Sequence, residues 1–268
     1  MYSNKNILVI DDEQIVLDAV KKILASENFN IDESKDAADA LKKIDKHEYD
    51  LILCDIMMPG IDGFKFLDEL NHRKNDTPVI MTTGYSTVEN AVNSLYKGAI
   101  DFIPKPFTIE ELLNSILRVI KYKEIQDRMG LANISKQDPT LAYVPCPTKY
   151  YRLGYGSWVF IEKKGSALIG ITDLFLKTIS PVMEIQLMKP DEEIIQGNAC
   201  AQIACTDSLT HSVLSPVSGR IMEINQELQR NKTIIEKDPY FEGWLYRIIP
   251  NDTKYELQRL ISCSSDRI

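Results

Sequence analysis

The chain of 268 residues lacks features that would each have assigned it to a special class of protein. It has no run of about 18 apolar residues, so we expect no helix that crosses a membrane. Its first residues, MYSNKNILVI, lack the basic flank and apolar core of a secretory signal. Five cysteines without a CxxC pair argue against a disulfide framework and favour a reducing compartment. These absences predict a cytoplasmic protein.

An excess of basic residues is missing as well, and the formal net charge is −8. Residues 1–145 hold 17 basic and 24 acidic side chains, whereas residues 146–268 hold 14 and 15. Neither half therefore supplies a bulk attraction for a phosphate backbone, and we expect no DNA binding. The length suits two domains of ordinary size, each with its own core.

The first half alternates short apolar segments with amphipathic ones. The strand candidates are residues 6–10, 29–34, 49–55, 78–83 and 99–103. Helical patterns occupy residues 13–26, 37–46, 63–74 and 88–98, and a fifth helix begins at Thr108. The segments LILC and VIM are continuously apolar, which is typical of strands buried on both faces. Repeated strand–helix units predict an α/β domain, a doubly wound parallel sheet of five strands with a crevice at the carboxyl ends of the strands.

Acidic side chains follow two of these strands. Asp11 and Asp12 come directly after NILVI, and Asp55 ends LILCD. Because carboxylates at one sheet edge repel each other, we expect a cation among them, and Mg²⁺ suits carboxylate and carbonyl oxygens. Thr83 and Lys105 lie at the ends of two of the three other strands, at the same edge. Taken alone, an acidic pair after a strand is more often a solvated loop, and a Lys-Pro pair is usually a turn. The position of all these residues at strand ends on one edge favours a functional site instead.

This set of side chains predicts phosphoryl transfer onto a carboxylate. Asp55 is the expected nucleophile and phosphoacceptor. Asp11 and Asp12 are expected to hold the metal together with Asp55 and the backbone carbonyl of Met57. Thr83 and Lys105 are expected to stabilise the phosphoryl oxygens, because charge spreads over those oxygens in the transition state.

Four segments, VIDDE, CDIMMPGIDG, PVIMTTGYS and DFIPKPF, resemble the response-regulator receiver domain in order and spacing over residues 4–122. The resemblance implies phosphorylation by a histidine kinase or phosphotransfer protein, a requirement for Mg²⁺ and no stand-alone enzyme activity. It also implies a switch in which Thr83 moves toward the phosphoryl group and Phe102 turns inward. An aromatic residue on a last strand is otherwise often plain core. Gly84, in place of the usual alanine, and Met57, beside the metal, are mild departures.

The fifth helix continues its apolar pattern through ELLNSILRVIKYKEIQDRM and is expected to end at Gly130. Two interpretations stay open, an ordinary last helix followed by a linker or a stalk that joins two copies of the chain. The predicted domains are a receiver domain at 1–122, a helical extension and linker at 123–147, and a second domain at 148–268.

After residue 148 the sequence changes to short strands separated by turns, with clear alternation in VMEIQL and GRIMEIN. Two segments, DLFLKTI and YELQRLI, predict brief helices. The segments GSWVFIEKKGSALIGITDLF, SPVSGRIMEINQEL and IIEKDPYFEGWLYRIIP resemble the H protein of the glycine cleavage system. This resemblance implies a mostly-β barrel-sandwich hybrid, the lipoyl-type fold, with lipoate on one lysine.

The lipoyl lysine is absent, because its position, counted back from SPVSG, is Ser208. No lysine occurs between Lys189 and Lys232, so a small shift in the count does not restore it. We therefore expect no lipoate and an H-protein-like output that binds an unknown protein partner. The alternative is a carrier or accessory module of a metabolic complex, with Ser208, Thr206 or Cys205 receiving another group.

Five further side chains are expected to have ordinary roles. The isolated His47, His72 and His211 are expected at the surface. Cys200 and Cys205 are expected to pack as small apolar groups, although a thiol pair is the alternative.

Overall fold

The computed structural model describes residues 4–85, 87–132 and 143–264, and the chain divides into two compact units, Met1–Asp127 and Arg128–Ile268. The strands of the first unit are β1 (Asn6–Ile10), β2 (Asn30–Ser34), β3 (Leu51–Asp55), β4 (Val79–Thr83) and β5 (Asp101–Pro104). The helices that alternate with them are α1 (Gln14–Ser26), α2 (Ala37–Ile44), α3 (Gly63–His72), α4 (Val88–Tyr96) and α5 (Ile109–Ala132).

The five strands form one parallel sheet in the order β2-β1-β3-β4-β5. All five residues of β3 and of β4 are buried, as their continuous apolar sequence predicted. One core lies between the sheet and helices α1 and α5, and a second lies between the sheet and helices α2 and α3. The predicted doubly wound five-stranded domain is therefore confirmed.

Helix ends in this unit follow local capping chemistry. Gly98 takes a positive φ of 102° directly after the last turn of α4, where a side chain would be strained. Thr108 and Glu111 cap α5 reciprocally, since each backbone N–H donates to the other residue's side chain, at 2.8 and 3.1 Å. The expected stop of α5 at Gly130 is wrong by two residues, because the helix continues to Ala132.

The second unit is mostly antiparallel sheet. Its strands are β6 (Tyr151–Leu153), β7 (Ser157–Ile161), β8 (Ala167–Ile171), β9 (Val182–Leu187), β10 (Glu193–Ile194), β11 (Ala199–Cys205), β12 (Thr210–Leu214), β13 (Gly219–Ile224), β14 (Tyr246–Pro250) and β15 (Ile261–Ser262). They form a seven-stranded sheet in the order β10-β13-β14-β8-β7-β6-β15 and a three-stranded sheet in the order β12-β11-β9. Two sheets built from short strands fit the predicted mostly-β second domain.

Helices in this unit are short: α6 (Asp173–Thr178), α7 (Glu227–Arg230), α8 (Ile234–Lys237) and α9 (Thr253–Glu256). Helix α6 confirms the helix predicted from DLFLKTI. The helix predicted from YELQRLI is only partly right. It consists of the end of α9, a 3-10 turn at Leu257–Arg259 and the start of β15.

Trp158 belongs to a core cluster of the second unit and is fully buried. Its indole N–H donates to the backbone oxygens of Ile171 (2.9 Å) and Pro239 (3.2 Å). A Cβ added at Gly170 would lie 2.3 Å from the indole ring, so only glycine at this position leaves room for the ring beside β8. The ring of Tyr150 packs 4.9 Å from that of Trp158, centroid to centroid.

Residues just before β6 are tied into this core. The Val144 N–H donates to the buried Asp173 carboxylate (2.6 Å), and the Tyr240 hydroxyl donates to the Val144 carbonyl (2.9 Å). The same hydroxyl accepts a hydrogen bond from the Asp173 N–H (3.1 Å). Backbone near residue 144 is thus part of the second unit.

Candidate functional site

The polar side chains singled out in the sequence lie at the carboxyl ends of four neighbouring strands. Asp11 follows β1, Asp55 ends β3, Thr83 ends β4 and Lys105 follows β5. These strands are adjacent in the sheet, so their ends meet at one edge. The backbone N–H of Lys105 donates to the carbonyl of Thr83 (2.8 Å), which fixes the last two strand ends together.

Lys105 joins two buried carboxylates. Its ammonium nitrogen lies 2.6 Å from Asp11 Oδ2 and 2.6 Å from Asp55 Oδ1. The side chains are 12% exposed for Lys105, 3% for Asp11 and 4% for Asp55, so water screens this ion pair little. One cation faces two anions, which leaves a net negative charge in a nearly dry site.

The second oxygen of each carboxylate is also satisfied. Asp11 Oδ1 accepts a hydrogen bond from the backbone N–H of Glu13 (3.1 Å), and Asp55 Oδ2 accepts one from the N–H of Met57 (2.6 Å). Both donors lie two residues further along the chain from the carboxylate they bind. Since hydrogen bonds to the charged form hold a carboxylate in place, each acid has a fixed orientation toward Lys105.

Burial has opposite effects on the acid and the base. Burial raises the pKa of Asp11 above its ordinary value, although the hydrogen bond and charge of Lys105 act in the other direction. For Lys105, burial alone lowers the pKa, but the hydrogen bonds to Asp11 and Asp55 outweigh it and the pKa is raised. Lys105 is therefore an ammonium at neutral pH.

The side chains of Asp12 and Met57 do not join this buried group. The Asp12 side chain is exposed, and Met57 is 54% exposed. Within residues 4–85, 87–132 and 143–264, no three His, Cys, Asp or Glu side chains lie together as a ready metal cluster. The donors nonetheless fit Mg²⁺, which takes one or two carboxylates and keeps several waters. Asp11 and Asp55 already converge on one positive group, and Asp12 lies beside them in sequence.

Gly63, the first residue of α3, has no side chain and therefore allows the start of this helix to lie close to the backbone of Asp55. A Cβ at Gly63 would lie 2.3 Å from the Asp55 carbonyl oxygen and 2.9 Å from Ile56 Cα. Asp62 caps the same helix by accepting from the N–H of Lys65 (2.9 Å). Sequence reasoning did not assign a role to Gly63; a glycine directly after a capping aspartate was the available signal.

Thr83 is fully buried, and its hydroxyl oxygen accepts a hydrogen bond from the N–H of Tyr85 (3.2 Å). Phe102 is half-buried on β5 and packs against the core that contains α2 and α3. The two residues of the expected switch thus lie on neighbouring strands, with Met81 paired to Phe102. Their switching role stays a prediction.

Comparison with known proteins assigns both halves. The family model of the response regulator receiver domain matches residues 7–117, and that of the glycine cleavage H-protein matches residues 149–266. The chain is a receiver domain fused to an H-protein-like domain. Together the two matches account for the parallel sheet with its acidic edge and for the antiparallel second unit.

Several relatives are named response regulators. Response regulator MprA of Mycobacterium ulcerans is 24% identical over 233 residues, which cover 87% of this chain and 90% of the relative. Response regulator ArlR of Staphylococcus aureus is 39% identical over 128 residues, which cover 47% of this chain and 58% of the relative. A CheY-like receiver domain protein from Methanospirillum hungatei is 34% identical, with a TM-score of 0.44, over 46% of this chain and 99% of that chain.

The H-protein-like domain carries Ser208 at the tip of a hairpin between β11 and β12. Hydrogen bonds from Ser208 N–H to Cys205 O (3.0 Å) and from Cys205 N–H to Leu209 O (2.9 Å) close a three-residue loop. Ser208 has a φ of +67°, the left-handed position that such loops usually give to glycine. No lysine lies in this hairpin, and the assignment of Ser208 to the lipoyl position stays a prediction.

The hairpin tip is braced from outside. Asp207 Oδ2 lies 2.5 Å from the hydroxyl of Ser180, and the N–H of Thr206 donates to the carbonyl of Pro181 (3.0 Å). Cys205 is buried, and burial followed by the charge of Asp207 raises the pKa of its thiol to about 11. The tip therefore presents Thr206 and Ser208 to solvent but keeps the thiol inside.

One assignment of an isolated side chain is wrong. His211 is only 3% exposed, because its position on β12 points inward, as does that of Val213 two residues later. His47 and His72 are exposed, as expected. Cys200 and Cys205 are both buried free thiols, which confirms their packing role.

Among the residues that the structure describes, no helix combines the length and apolar character needed to cross a membrane.

Proposed function

We propose that the chain is a phosphorelay response regulator that accepts a phosphoryl group on Asp55 from a histidine kinase or phosphotransfer protein. The observation that carries the proposal is the ammonium of Lys105 at 2.6 Å from both Asp11 and Asp55, with all three side chains nearly buried. An acid at the end of a strand, held by a cation and a backbone N–H, has the orientation that a phosphoacceptor needs.

The chemistry of the chain's own residues follows from this arrangement. An oxygen of Asp55 forms the new O–P bond as the bond between phosphorus and the donor's histidine nitrogen breaks. Lys105 is positioned to stabilise negative charge on the phosphoryl oxygens, and the hydroxyl of Thr83 is the expected hydrogen-bond donor to them. No stand-alone enzyme activity is proposed, because the chain's own side chain is the acceptor.

Asp11, Asp12, Asp55 and the backbone carbonyl of Met57 would hold Mg²⁺. When bound, the metal supplies positive charge to phosphoryl oxygens that Lys105 alone does not fully neutralise. The exposed position of Asp12 leaves it able to turn toward a cation placed between Asp11 and Asp55.

The output of the H-protein-like domain is proposed to be protein binding, without DNA binding and without lipoate. Three features support this reading. The hairpin tip is braced, and within residues 143–264 the longest helix is α6, with six residues, too short for a DNA recognition helix of the usual kind. The near balance of 14 basic and 15 acidic residues in 146–268 argues in the same direction.

Phosphorylation of Asp55 can be tested with acetyl phosphate and Mg²⁺, read by intact mass or radiolabel. The parent chain should gain one phosphoryl group, and Asp55→Asn should gain none. Asp76→Asn, which changes an exposed carboxylate at the opposite end of the sheet, is the matched control and should behave as the parent. Labelling of Asp55→Asn at the parental rate would remove the basis of the proposal.

A carrier or accessory role in a metabolic complex is the second candidate, favoured by the exposed hydroxyls of Thr206 and Ser208 at the hairpin tip. It predicts a mass increase on the chain isolated from its own cells, located in the peptide between Lys189 and Arg220. An unmodified peptide supports the protein-binding reading instead. A capture experiment with and without beryllofluoride, a phosphate mimic, would then identify the partner.

Two further proposals concern the state of the chain. A cytoplasmic location is supported by five free, buried thiols, which suit a reducing compartment. Self-association through α5 is supported by its 24 residues, about 36 Å of helix. Light scattering with and without the phosphate mimic tests self-association; an unchanged monomer mass in both would exclude it.

A further inference from the structure

Tyr85, two residues after the end of β4, is held by a side chain that the receiver family resemblance does not assign. The amide nitrogen of Asn90 donates to the backbone carbonyl of Tyr85 (2.8 Å), and the N–H of Thr87 donates to the same carbonyl (2.9 Å). On its other side, the N–H of Tyr85 donates to the hydroxyl oxygen of Thr83 (3.2 Å). Tyr85 is therefore fixed at both of its backbone polar groups.

Asn90 is itself rigidly placed. It is the third residue of α4, its N–H donates to the capping hydroxyl of Thr87 (3.1 Å), and its carbonyl accepts a hydrogen bond from the hydroxyl of the buried Ser94 (2.7 Å). The Asn90 side chain therefore extends from a backbone that is fixed at both of its polar groups. The bond from Asn90 to Tyr85 consequently ties the backbone of Tyr85 to the body of the helix.

We propose that Asn90 is a positioning residue that holds the backbone of Tyr85 in the resting arrangement, with the Thr83 hydroxyl bound to the Tyr85 N–H. The inference rests on the proposed phosphorylation of Asp55. In the proposed function the Thr83 hydroxyl donates to the phosphoryl oxygens, and a turn from the Tyr85 N–H toward Asp55 displaces the backbone of Tyr85. The Asn90 amide opposes that movement because it binds the carbonyl of the same residue. Loss of the bond therefore increases the population of the conformation that the phosphorylated chain adopts.

The decisive variant is Asn90→Asp, which keeps the size of the side chain but replaces the N–H donor with a second acceptor oxygen. Asn93→Asp is the matched control, since it makes the same charge change one turn later on α4, and no side-chain hydrogen bond of Asn93 is found among the described residues. The probe is beryllofluoride with Mg²⁺, titrated against each chain. The readouts are its half-saturating concentration and the hydrogen exchange of residues 83–95.

Asn90→Asp should bind the mimic with a half-saturating concentration about two- to tenfold lower than the parent, the range that one net hydrogen bond supplies. Its amides near Tyr85 should exchange faster without the mimic, while Asn93→Asp matches the parent in both measurements. A merely structural role of Asn90 would weaken mimic binding rather than strengthen it. Equal or weaker binding by Asn90→Asp than by Asn93→Asp overturns the inference. A parent chain that binds no mimic and accepts no phosphoryl group instead refutes the proposed function, so the two failures are distinguishable.

Discussion

Replacing Lys105 with methionine should cost the receiver domain several kcal/mol of stability at neutral pH. The Lys105 ammonium lies 2.6 Å from an oxygen of Asp11 and 2.6 Å from one of Asp55. The two oxygens are therefore at most about 5 Å apart, and their repulsion at an effective dielectric constant of 20 is about 3 kcal/mol. Removal of one partner from a buried ion pair typically costs about 3–5 kcal/mol. The two estimates agree, so we expect a loss of about 3 kcal/mol.

The pH dependence of this loss has a definite sign. Burial already raises the pKa of Asp11 above its ordinary value, and without Lys105 the pKa rises further. A carboxyl group whose folded-state pKa exceeds its unfolded value binds protons preferentially in the folded state, so stability increases as the pH falls through that folded pKa. The difference between Lys105→Met and the parent should therefore be largest at pH 7 and shrink in acid.

Urea unfolding of the parent, Lys105→Met and Lys97→Met checks the reasoning. Lys97 pairs with Asp68 at 2.7 Å, but those side chains are 35% and 45% exposed, so its loss should cost less than about 1 kcal/mol. Millimolar Mg²⁺ should restore more stability to Lys105→Met than to the parent, because it supplies the missing positive charge. Equal losses for the two lysine variants, or a Lys105→Met loss that does not change with pH, would refute the proposed electrostatics of the site.

Three further predictions concern single positions. Gly63→Ala should lower the free energy of unfolding by more than about 2 kcal/mol and slow phosphorylation, because the new Cβ would lie 2.3 Å from the Asp55 carbonyl oxygen. Gly84→Ala is the control in urea unfolding, since a Cβ added there has no atom within 4 Å. Ser208→Gly should stabilise the H-protein-like domain by up to about 1 kcal/mol in urea, since glycine adopts φ +67° without strain, and a loss of stability would contradict this. Cys205, with its thiol pKa raised to about 11, should resist iodoacetamide at pH 8 until urea is added; rapid native labelling would show that the thiol is accessible.

The receiver domain was predictable because its pattern is repetitive and its site depends on topology. Asp11 and Lys105 are 94 residues apart in sequence, yet each follows a strand, and parallel strands place their carboxyl ends at one edge. The sequence therefore predicts that these side chains meet. It does not predict that the Lys105 ammonium binds both Asp11 and Asp55 while Asp12 stays outside, because that choice depends on side-chain rotamers and on local N–H donors.

The second domain was less predictable, since short strands carry weak patterns and many side chains are positioned by distant segments. The single residue His211 illustrates this. Its polarity favoured the surface, although alternation with Val213 places it on the inward face of β12. The bond between Val144 and Asp173 gives no local signal either. It joins backbone before β6 to the start of α6, two segments 29 residues apart in sequence.

The hairpin tip distinguishes the two roles considered for the H-protein-like domain on physical grounds. A carrier needs a long, mobile side chain that reaches other sites, and a serine hydroxyl provides neither length nor a nucleophilic amine. A surface that binds a protein benefits from rigidity, because less conformational entropy is lost when the complex forms. The tip is rigid by this standard: Asp207 is fixed by Ser180, Thr206 by Pro181, and Ser208 remains in a left-handed conformation that costs about 1 kcal/mol. Hydrogen bonds from outside the loop keep the tip in a strained conformation, and the amine that a carrier requires is absent from it. These features favour protein binding over a carrier role.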